Sequence, residues 1–261
     1  MLILLQFFKI KKMKIKILLS LMVAVVISGC AEMMQIAKTM DTQRPLTQTE
    51  VVNGLKEALK VGSNKASSKL SLTDGYYRDE MVKILLPPEA ATITQNLHRI
   101  PGGEKLLEDV LLRINRAAED AAKEAAPIFG NAITKMTIQD GFNILKGKDD
   151  EATQFLKKNT YNQLVQLYSP KIKSSLDKKL VAGISTNESW NTLTSQWNNV
   201  AGSAVGRIAG FNQVNVKLDE YLTQSALDGL FLKLSLEEAE IRNNPAARVT
   251  EILRRVFGSN N

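Results

Sequence analysis

Few side chains in this chain of 261 residues could carry nucleophilic or metal chemistry, since it has one cysteine, Cys30, and one histidine, His98. His98 lies in the stretch TQNLHRIPGG, just before a turn, and no G-x-S-x-G motif offers it a serine partner. A zinc site needs several cysteine or histidine ligands, which these two residues cannot supply. The sequence therefore predicts neither a Ser-His catalytic pair nor a metal site of this kind, and no cofactor.

Carboxylates are the remaining candidates for catalysis. Asp149, Asp150 and Glu151 are adjacent, but they lack the D-x-D-x-D-G spacing of a calcium loop. Acidic residues favour the start of a helix, and this is the interpretation of the cluster that we prefer. Glycan-cleaving enzymes need only two carboxylates, and the chain has 27 acidic residues. An enzyme of that type stays open as an alternative function.

Two arginines lie in polar sets within predicted helices. Arg116 follows Asn115 and precedes Glu119, and Arg242 lies four residues after Glu238. The second spacing is typical of a salt bridge on a helix. The alternative is that Arg116 and Arg242 face a common groove and bind an anionic ligand, such as a lipid head group or a glycan carboxylate.

Three glycines, Gly202, Gly206 and Gly210, recur at four-residue spacing in GSAVGRIAG. On a helix they would lie on one face and allow close approach of a second helix. The apolar run around them, residues 200–211, contains Arg207 and is too short to span a membrane. A helix-contact face and a flexible connection both remain open.

The elements that must position these residues are helices. Thr47 and Glu50 have the spacing of a capping box, and apolar residues then recur at helical periods. Asp109 with Arg113, and Glu119 with Lys123, have four-residue spacing and indicate an exposed face. The last segment, TQSALDGLFLKLSLEEAEIRNNPAARVTEILRRVFG, predicts a C-terminal helical hairpin. We expect an all-α fold over residues 47–258, a single bundle of roughly seven to nine helices.

The amino terminus has the charge and hydropathy pattern of a secretory signal peptide. Five lysines precede an apolar run at residues 17–27, which at 1.5 Å per residue covers only about half a bilayer core. The quartet ISGC that ends at Cys30 resembles the lipobox of bacterial lipoproteins. This resemblance implies that residues 1–29 are cleaved and that Cys30 is lipidated and then acylated, for example with palmitate. Residues 30–46 would be the lipidated terminus and tether.

Cleavage also changes the charge balance. The whole chain has 34 basic and 27 acidic residues, a net charge of +7, but five of the lysines lie in residues 1–29. The mature chain would therefore carry about +2. A nucleic-acid partner, which needs a basic patch on the folded domain, is not expected.

Four stretches resemble a known family: TDGYYRDEMVKILLP (73–87), NRAAEDAAKEAAPIF (115–129), AITKMTIQDGFNILKGKDDEATQFLKKNT (132–160) and the C-terminal hairpin. They are similar to the domain-of-unknown-function family 4197, a group of helical bacterial lipoproteins. The resemblance implies a place in the cell envelope, and it implies no activity.

We expect a lipid-anchored protein of the periplasm, attached to the outer membrane because Ala31 rather than aspartate follows Cys30. Its expected role is non-catalytic binding or scaffolding of an envelope protein or glycan. The alternative is a carboxylate-dependent enzyme that acts on cell-wall or lipid material. A helical carrier of a small apolar ligand is a third, lower option, which would need an internal apolar cavity.

Overall fold

A computed structural model describes residues 44–139 and 141–259. Within these residues the chain forms ten α-helices and no strand, so the prediction of an all-α fold is confirmed. The helices are α1 (Gln48–Leu70), α2 (Ala91–Gln95), α3 (Gly103–Ala122), α4 (Ala125–Lys135), α5 (Gly141–Leu145), α6 (Glu151–Asp177), α7 (Thr186–Gly202), α8 (Ala204–Ile208), α9 (Leu218–Asn243) and α10 (Glu251–Gly258). Three short 3-10 helices add Pro88–Ala90, Leu97–Arg99 and Pro245–Ala247.

Local sequence explains where several helices begin. Helix α1 starts one residue after Thr47, the first position of the predicted capping box. Helix α6 starts at Glu151, directly after Asp150, where negative charge favours the positive end of the helix dipole. At α7 the Ser185 hydroxyl accepts from the Glu188 N–H at 3.1 Å, and the Glu188 carboxylate accepts from the Ser185 N–H at 2.7 Å. This reciprocal pair is a capping box, and it fixes the first turn.

Helix α9 is the centre of the bundle, because it packs along both α1 and α6. Its inward side is apolar, and Leu227, Leu230 and Leu234 are almost completely buried there. Helix α3 packs between α6 and α7, and α10 lies mainly on α1. Each buried leucine contributes about 1.5–3 kcal/mol to folding, so this shared apolar core holds the long helices together.

The amino-terminal predictions fall outside the described residues. These are the signal peptide at residues 1–29, Cys30, and all but the last three residues of the tether. In the part of the chain that the structure does describe, no helix is long and apolar enough to cross a membrane.

Candidate functional site

The residues between α1 and the first 3-10 helix, 71–87, form a long stretch without helix or strand, which we call the 71–87 segment. Irregular segments longer than about 12–15 residues are uncommon in compact domains, and those that are ordered usually carry function. This segment runs past α3 and α9, and side chains from both helices hold its backbone. The 71–87 segment is therefore the strongest candidate for a functional surface in the described part of the chain.

Tyr76 fixes the segment to the core. Its side chain is fully buried, and its hydroxyl donates to the carbonyl of Ala226 in α9 at 2.8 Å. The ring lies against Gly229, where an added Cβ would come within 2.8 Å of Tyr76 Cε1. Burial, with the nearby Tyr168 and Glu119, raises the pKa of Tyr76 well above its ordinary value. Tyr76 thus stays neutral and acts as an anchor.

A buried carboxylate holds the turn at the same point. Glu119 of α3 accepts hydrogen bonds from the backbone N–H groups of Tyr76 and Tyr77, each at 3.1 Å. Arg116 donates to Glu119 at 2.6 Å and to Asp74 at 2.6 Å. Asp74 has a φ of +68°, a left-handed conformation that aspartate tolerates better than most residues. Arg116 therefore joins α3 to the turn through Asp74, and its bond within α3 holds the Glu119 carboxylate that accepts from the turn's backbone.

The second half of the segment, residues 83–87, has neither helix nor turn. The Asn115 side chain accepts from the Ile84 N–H at 2.9 Å and donates to the Ile84 carbonyl at 2.8 Å. The Tyr221 hydroxyl of α9 donates to the carbonyls of Leu85 at 3.0 Å and Leu86 at 3.4 Å. Side chains thus satisfy backbone groups that a neighbouring strand would satisfy in a sheet.

Several large apolar side chains of the segment face solvent. Leu72, Met81 and Leu85 are exposed by 64%, 57% and 60%, and Leu236 of α9, at 41%, lines a groove together with Met81. Two shallow grooves flank the segment against α9, one of about 550 Å³ and one of about 390 Å³, and Met81 lines both. A backbone held rigidly from behind thus presents large apolar side chains to solvent.

Several charges beside this surface are paired with one another. Lys69 donates to Glu237 at 2.5 Å, and Lys233 pairs with Asp79 at 2.5 Å. Burial raises the pKa of Asp79, but the hydrogen bonds from Lys233 and from the Met81 N–H, together with the charge of Lys233, outweigh burial, so the pKa of Asp79 is lowered. Most charges beside this surface are therefore paired, and Glu80, which also lines the larger groove, is exposed without an ion pair among the described contacts.

Arg116 and Arg242 lie in separate clusters of side chains. Among the described contacts, no residue contacts both arginines. Arg242 donates to Glu238 at 2.8 Å and to the carbonyl of Leu145 at the end of α5 at 2.7 Å. Glu238, which is fully buried, also accepts from the Thr153 N–H at 2.7 Å. Each arginine is occupied by its own carboxylate, so no geometry supports a shared groove for an anionic ligand.

The three glycines do not form one helical face, and the prediction of a helix-contact face is corrected here. Gly202 is the last residue of α7, Gly206 lies in the short helix α8, and Gly210 follows it with a φ of +72°. The helical conformation is interrupted at Ser203, which has extended backbone angles. A Cβ at Gly206 would overlap the carbonyl of Ala201, so this glycine permits a tight turn rather than contact with a second helix.

The exposed face predicted for α3 is also wrong in part. Arg113 is only 3% exposed, and it donates to Asp109 at 2.7 Å and to the carbonyl of Ile184 at 2.6 Å. Glu119 is buried and pairs with Arg116, as described above, rather than with Lys123. The sequence did not reveal that Arg113 and Glu119 are buried, because a buried ion pair and an exposed one have the same four-residue spacing. The alanines on both sides of Glu119 are a signal that could have indicated burial there, whereas Arg113 has no alanine within three residues.

The pKa shifts resolved for the described carboxylates all point downward. Where the pKa of an aspartate or glutamate is shifted in residues 44–139 and 141–259, it is lowered, as for Asp79, Asp109 and Asp120. Hydrogen bonds from cations keep these groups ionised, whereas a general acid needs a raised pKa. His98 is exposed, and no group of three potential metal ligands is found among the described residues.

The model of a family described as Protein of unknown function (DUF4197) matches residues 45–258 of the chain. This range contains all ten helices and the whole 71–87 segment. It confirms the family resemblance seen in the sequence. No curated protein and no solved structure gives a significant match.

Proposed function

We propose a function for this chain, which belongs to the DUF4197 family of proteins of unknown function. It is a lipid-anchored envelope protein that binds a partner protein without catalysis. The 71–87 segment is the observation that carries the binding role. Its partner is a protein whose contact surface is apolar.

The anchor is assigned to Cys30. A basic start, a short apolar run and the ISGC quartet support cleavage before Cys30 and lipid on its thiol. Several acyl chains, at about 0.8 kcal/mol for each buried CH₂, would hold the protein on a membrane without a spanning helix. The membrane is the outer one, and the domain faces the periplasm.

The mass of the amino-terminal peptide, from protein purified out of membranes, tests this anchor. We expect a chain that begins at Cys30 and carries a diacylglyceryl group and one further acyl chain. A Cys30→Ala variant is the control, and it should retain its leader. An unmodified Cys30 in an uncleaved chain would refute the anchor and leave the binding role to be judged separately.

The binding role is supported by the combination of rigidity and exposure. Apolar side chains such as Leu72 and Leu85 gain about 25 cal/mol for each Å² removed from water when a partner covers them. Because Asn115, Glu119 and Tyr76 already hold the backbone, little conformational freedom is lost on binding. Most of the neighbouring charges are paired, so the partner is selected mainly by shape and apolar contact.

Photocrosslinking in cells tests the surface. A photoreactive amino acid at Leu85 should give a discrete adduct with one envelope protein, whereas the same group at Leu167 on α6, which is 46% exposed, should not. Leu85→Ser should reduce recovery of that partner from unmodified cells. Equal adduct patterns at both positions would contradict the surface, and an adduct that a muramidase removes would identify a glycan partner instead.

A carboxylate-dependent enzyme remains the alternative that this proposal must exclude. Such an enzyme needs two carboxyl groups whose pKa values are pushed apart, one of them upward. The downward shifts at Asp79, Asp109 and Asp120 do not favour it. We therefore propose no second function.

A further inference from the structure

We infer that the turn around α8, residues 203–210, is a second contact surface of the protein and inserts its apolar side chains into an anionic phospholipid bilayer. We call these residues the apolar tip. This inference goes beyond the proposed partner binding and uses a different part of the domain. It rests on the exposure, the charge and the fixed base of the tip.

The tip presents large apolar side chains outward. Ile208 is 88% exposed, more than any other large apolar residue among those described, and Val205, one helical turn before it, is 65% exposed. Spacing of three residues places both on one side of α8. Exposure of this degree means that the side chains project from the surface and do not line a groove.

The base of the tip is fixed in place. The N–H of Phe211 donates to the carbonyl of Gly206 at 3.0 Å, and the Phe211 ring packs on the fully buried Trp197 with 5.3 Å between centroids. The indole N–H of Trp197 donates to the carbonyl of Asn212 at 2.9 Å. Ile208 thus projects from an ordered support rather than from a loose loop.

The sequence around the tip carries charge of one sign. Residues 189–218 contain no acidic residue, and neither do residues 90–103, whose Arg99 contacts Phe211 directly after the tip. Arg207 lies within the tip, and Arg99 is placed over the Phe211 ring at 5.1 Å from its centroid. In the part of the chain that the structure describes, neither arginine forms an ion pair. His98, beside Arg99, is also exposed.

An anionic bilayer fits these features better than a protein does. A protein would need a cavity that matches two projecting side chains and acidic groups that match the two arginines. A bilayer accepts projecting apolar groups without a preformed pocket, and its anionic head groups attract nearby cations. Apolar residues flanked by arginine are the composition of interfacial membrane contacts.

Tryptophan fluorescence in vesicles tests the inference on the full-length protein. The protein is reconstituted into vesicles of phosphatidylcholine, or of phosphatidylcholine with phosphatidylglycerol, whose acyl chains carry bromine as a quencher. Ile208→Trp is the reporter, and Val249→Trp, at a residue that is 53% exposed, is the matched control. The two natural tryptophans, Trp190 and Trp197, are buried and give the same background in all variants. Circular dichroism verifies that each variant is folded.

We expect quenching of Ile208→Trp in the mixed vesicles, with much less in neutral vesicles and none above background for Val249→Trp. Adding Arg207→Gln or Arg99→Gln should weaken association of the tip about fivefold for each arginine removed. Equal quenching of Ile208→Trp and Val249→Trp would overturn the inference, as would quenching that is the same in both kinds of vesicle.

Two further outcomes keep this test separate from the proposed function. If Ile208→Trp is shielded from a soluble quencher only when envelope proteins are added, the tip binds a protein and the lipid inference is wrong. Crosslinking at Leu85 probes the 71–87 segment and not the apolar tip. Its failure therefore does not affect the vesicle result. Reconstitution requires only that the chain enters the vesicles, whether through lipid on Cys30 or through a retained leader.

Discussion

Replacing Asn115 by leucine tests how the 71–87 segment is held. The substitution keeps nearly the same shape but removes the amide that pairs with the N–H and the carbonyl of Ile84, at 2.9 and 2.8 Å. Both residues are buried, Asn115 completely and Ile84 to within 3% exposure. Each buried backbone group left without a partner costs about 1–3 kcal/mol, so we expect the free energy of unfolding to fall by about 2–6 kcal/mol. That is a large share of the roughly 5–15 kcal/mol typical of a domain.

Urea unfolding followed by circular dichroism measures this loss. The matched control is Asn162→Leu, an exposed position on α6, which should stay within about 0.5 kcal/mol of the unchanged protein. Hydrogen exchange at the Ile84 amide gives a local readout, and protection there should be lost in Asn115→Leu. If that variant loses less than about 1 kcal/mol and the amide stays protected, Asn115 does not hold the segment.

Three further predictions test the packing and the charges of the domain. Gly229→Ala should lower the thermal midpoint and cost about 1–3 kcal/mol, because the new Cβ would press on the ring of Tyr76; an unchanged midpoint would mean that the ring is free to move. Glu238→Ala should cost about 3–5 kcal/mol in chemical unfolding, because it leaves buried groups unpaired; a loss below about 1 kcal/mol would contradict this. Hydrogen bonding from Arg113 lowers the pKa of Asp109, so this carboxylate stabilises the fold above its unfolded pKa of about 3.9 and loses that effect as the pH falls through its lower folded pKa. The stability difference between the unchanged protein and Asp109→Asn should therefore shrink in acid; a constant difference would refute the linkage.

The helices could be predicted from the sequence because their signals are local. A capping position, an acidic first turn and a repeat of apolar residues lie within one segment, and they correctly indicate α1, α6 and α9. Burial of charged side chains is different, because it depends on what packs there from elsewhere. Arg113 has the spacing of a surface residue, yet the carbonyls of Val181 and Ile184, far away in sequence, surround its guanidinium. No periodic pattern records that arrangement.

Dependence on distant segments also explains why the sets around Arg116 and Arg242 resemble binding sites in the sequence. A charged residue among alanines suggests a ligand, since burial of an unpaired charge is unfavourable. Here the partner is the protein's own backbone. Glu119 binds the amides of Tyr76 and Tyr77, and Glu238 binds the amide at the start of α6 that Thr153 provides. The sequence predicts that these residues matter, but it cannot distinguish a foreign ligand from a distant segment of the same chain.

The two proposed contact surfaces share one structural device. Asn115 pairs through its amide with both backbone groups of Ile84, and Asn198 pairs in the same way with Val214, at 2.8 Å from its N–H and 3.1 Å from its carbonyl. In each case an asparagine on a long helix satisfies backbone groups that a neighbouring strand would satisfy in a sheet. Asn115 does this within the 71–87 segment, and Asn198 does it four residues after the apolar tip, so both surfaces have an ordered support. If Asn198→Leu releases the apolar tip and Asn115→Leu releases the 71–87 segment, each without melting the other, the two surfaces are independent modules. Loss of both together would mean that one cooperative core holds them.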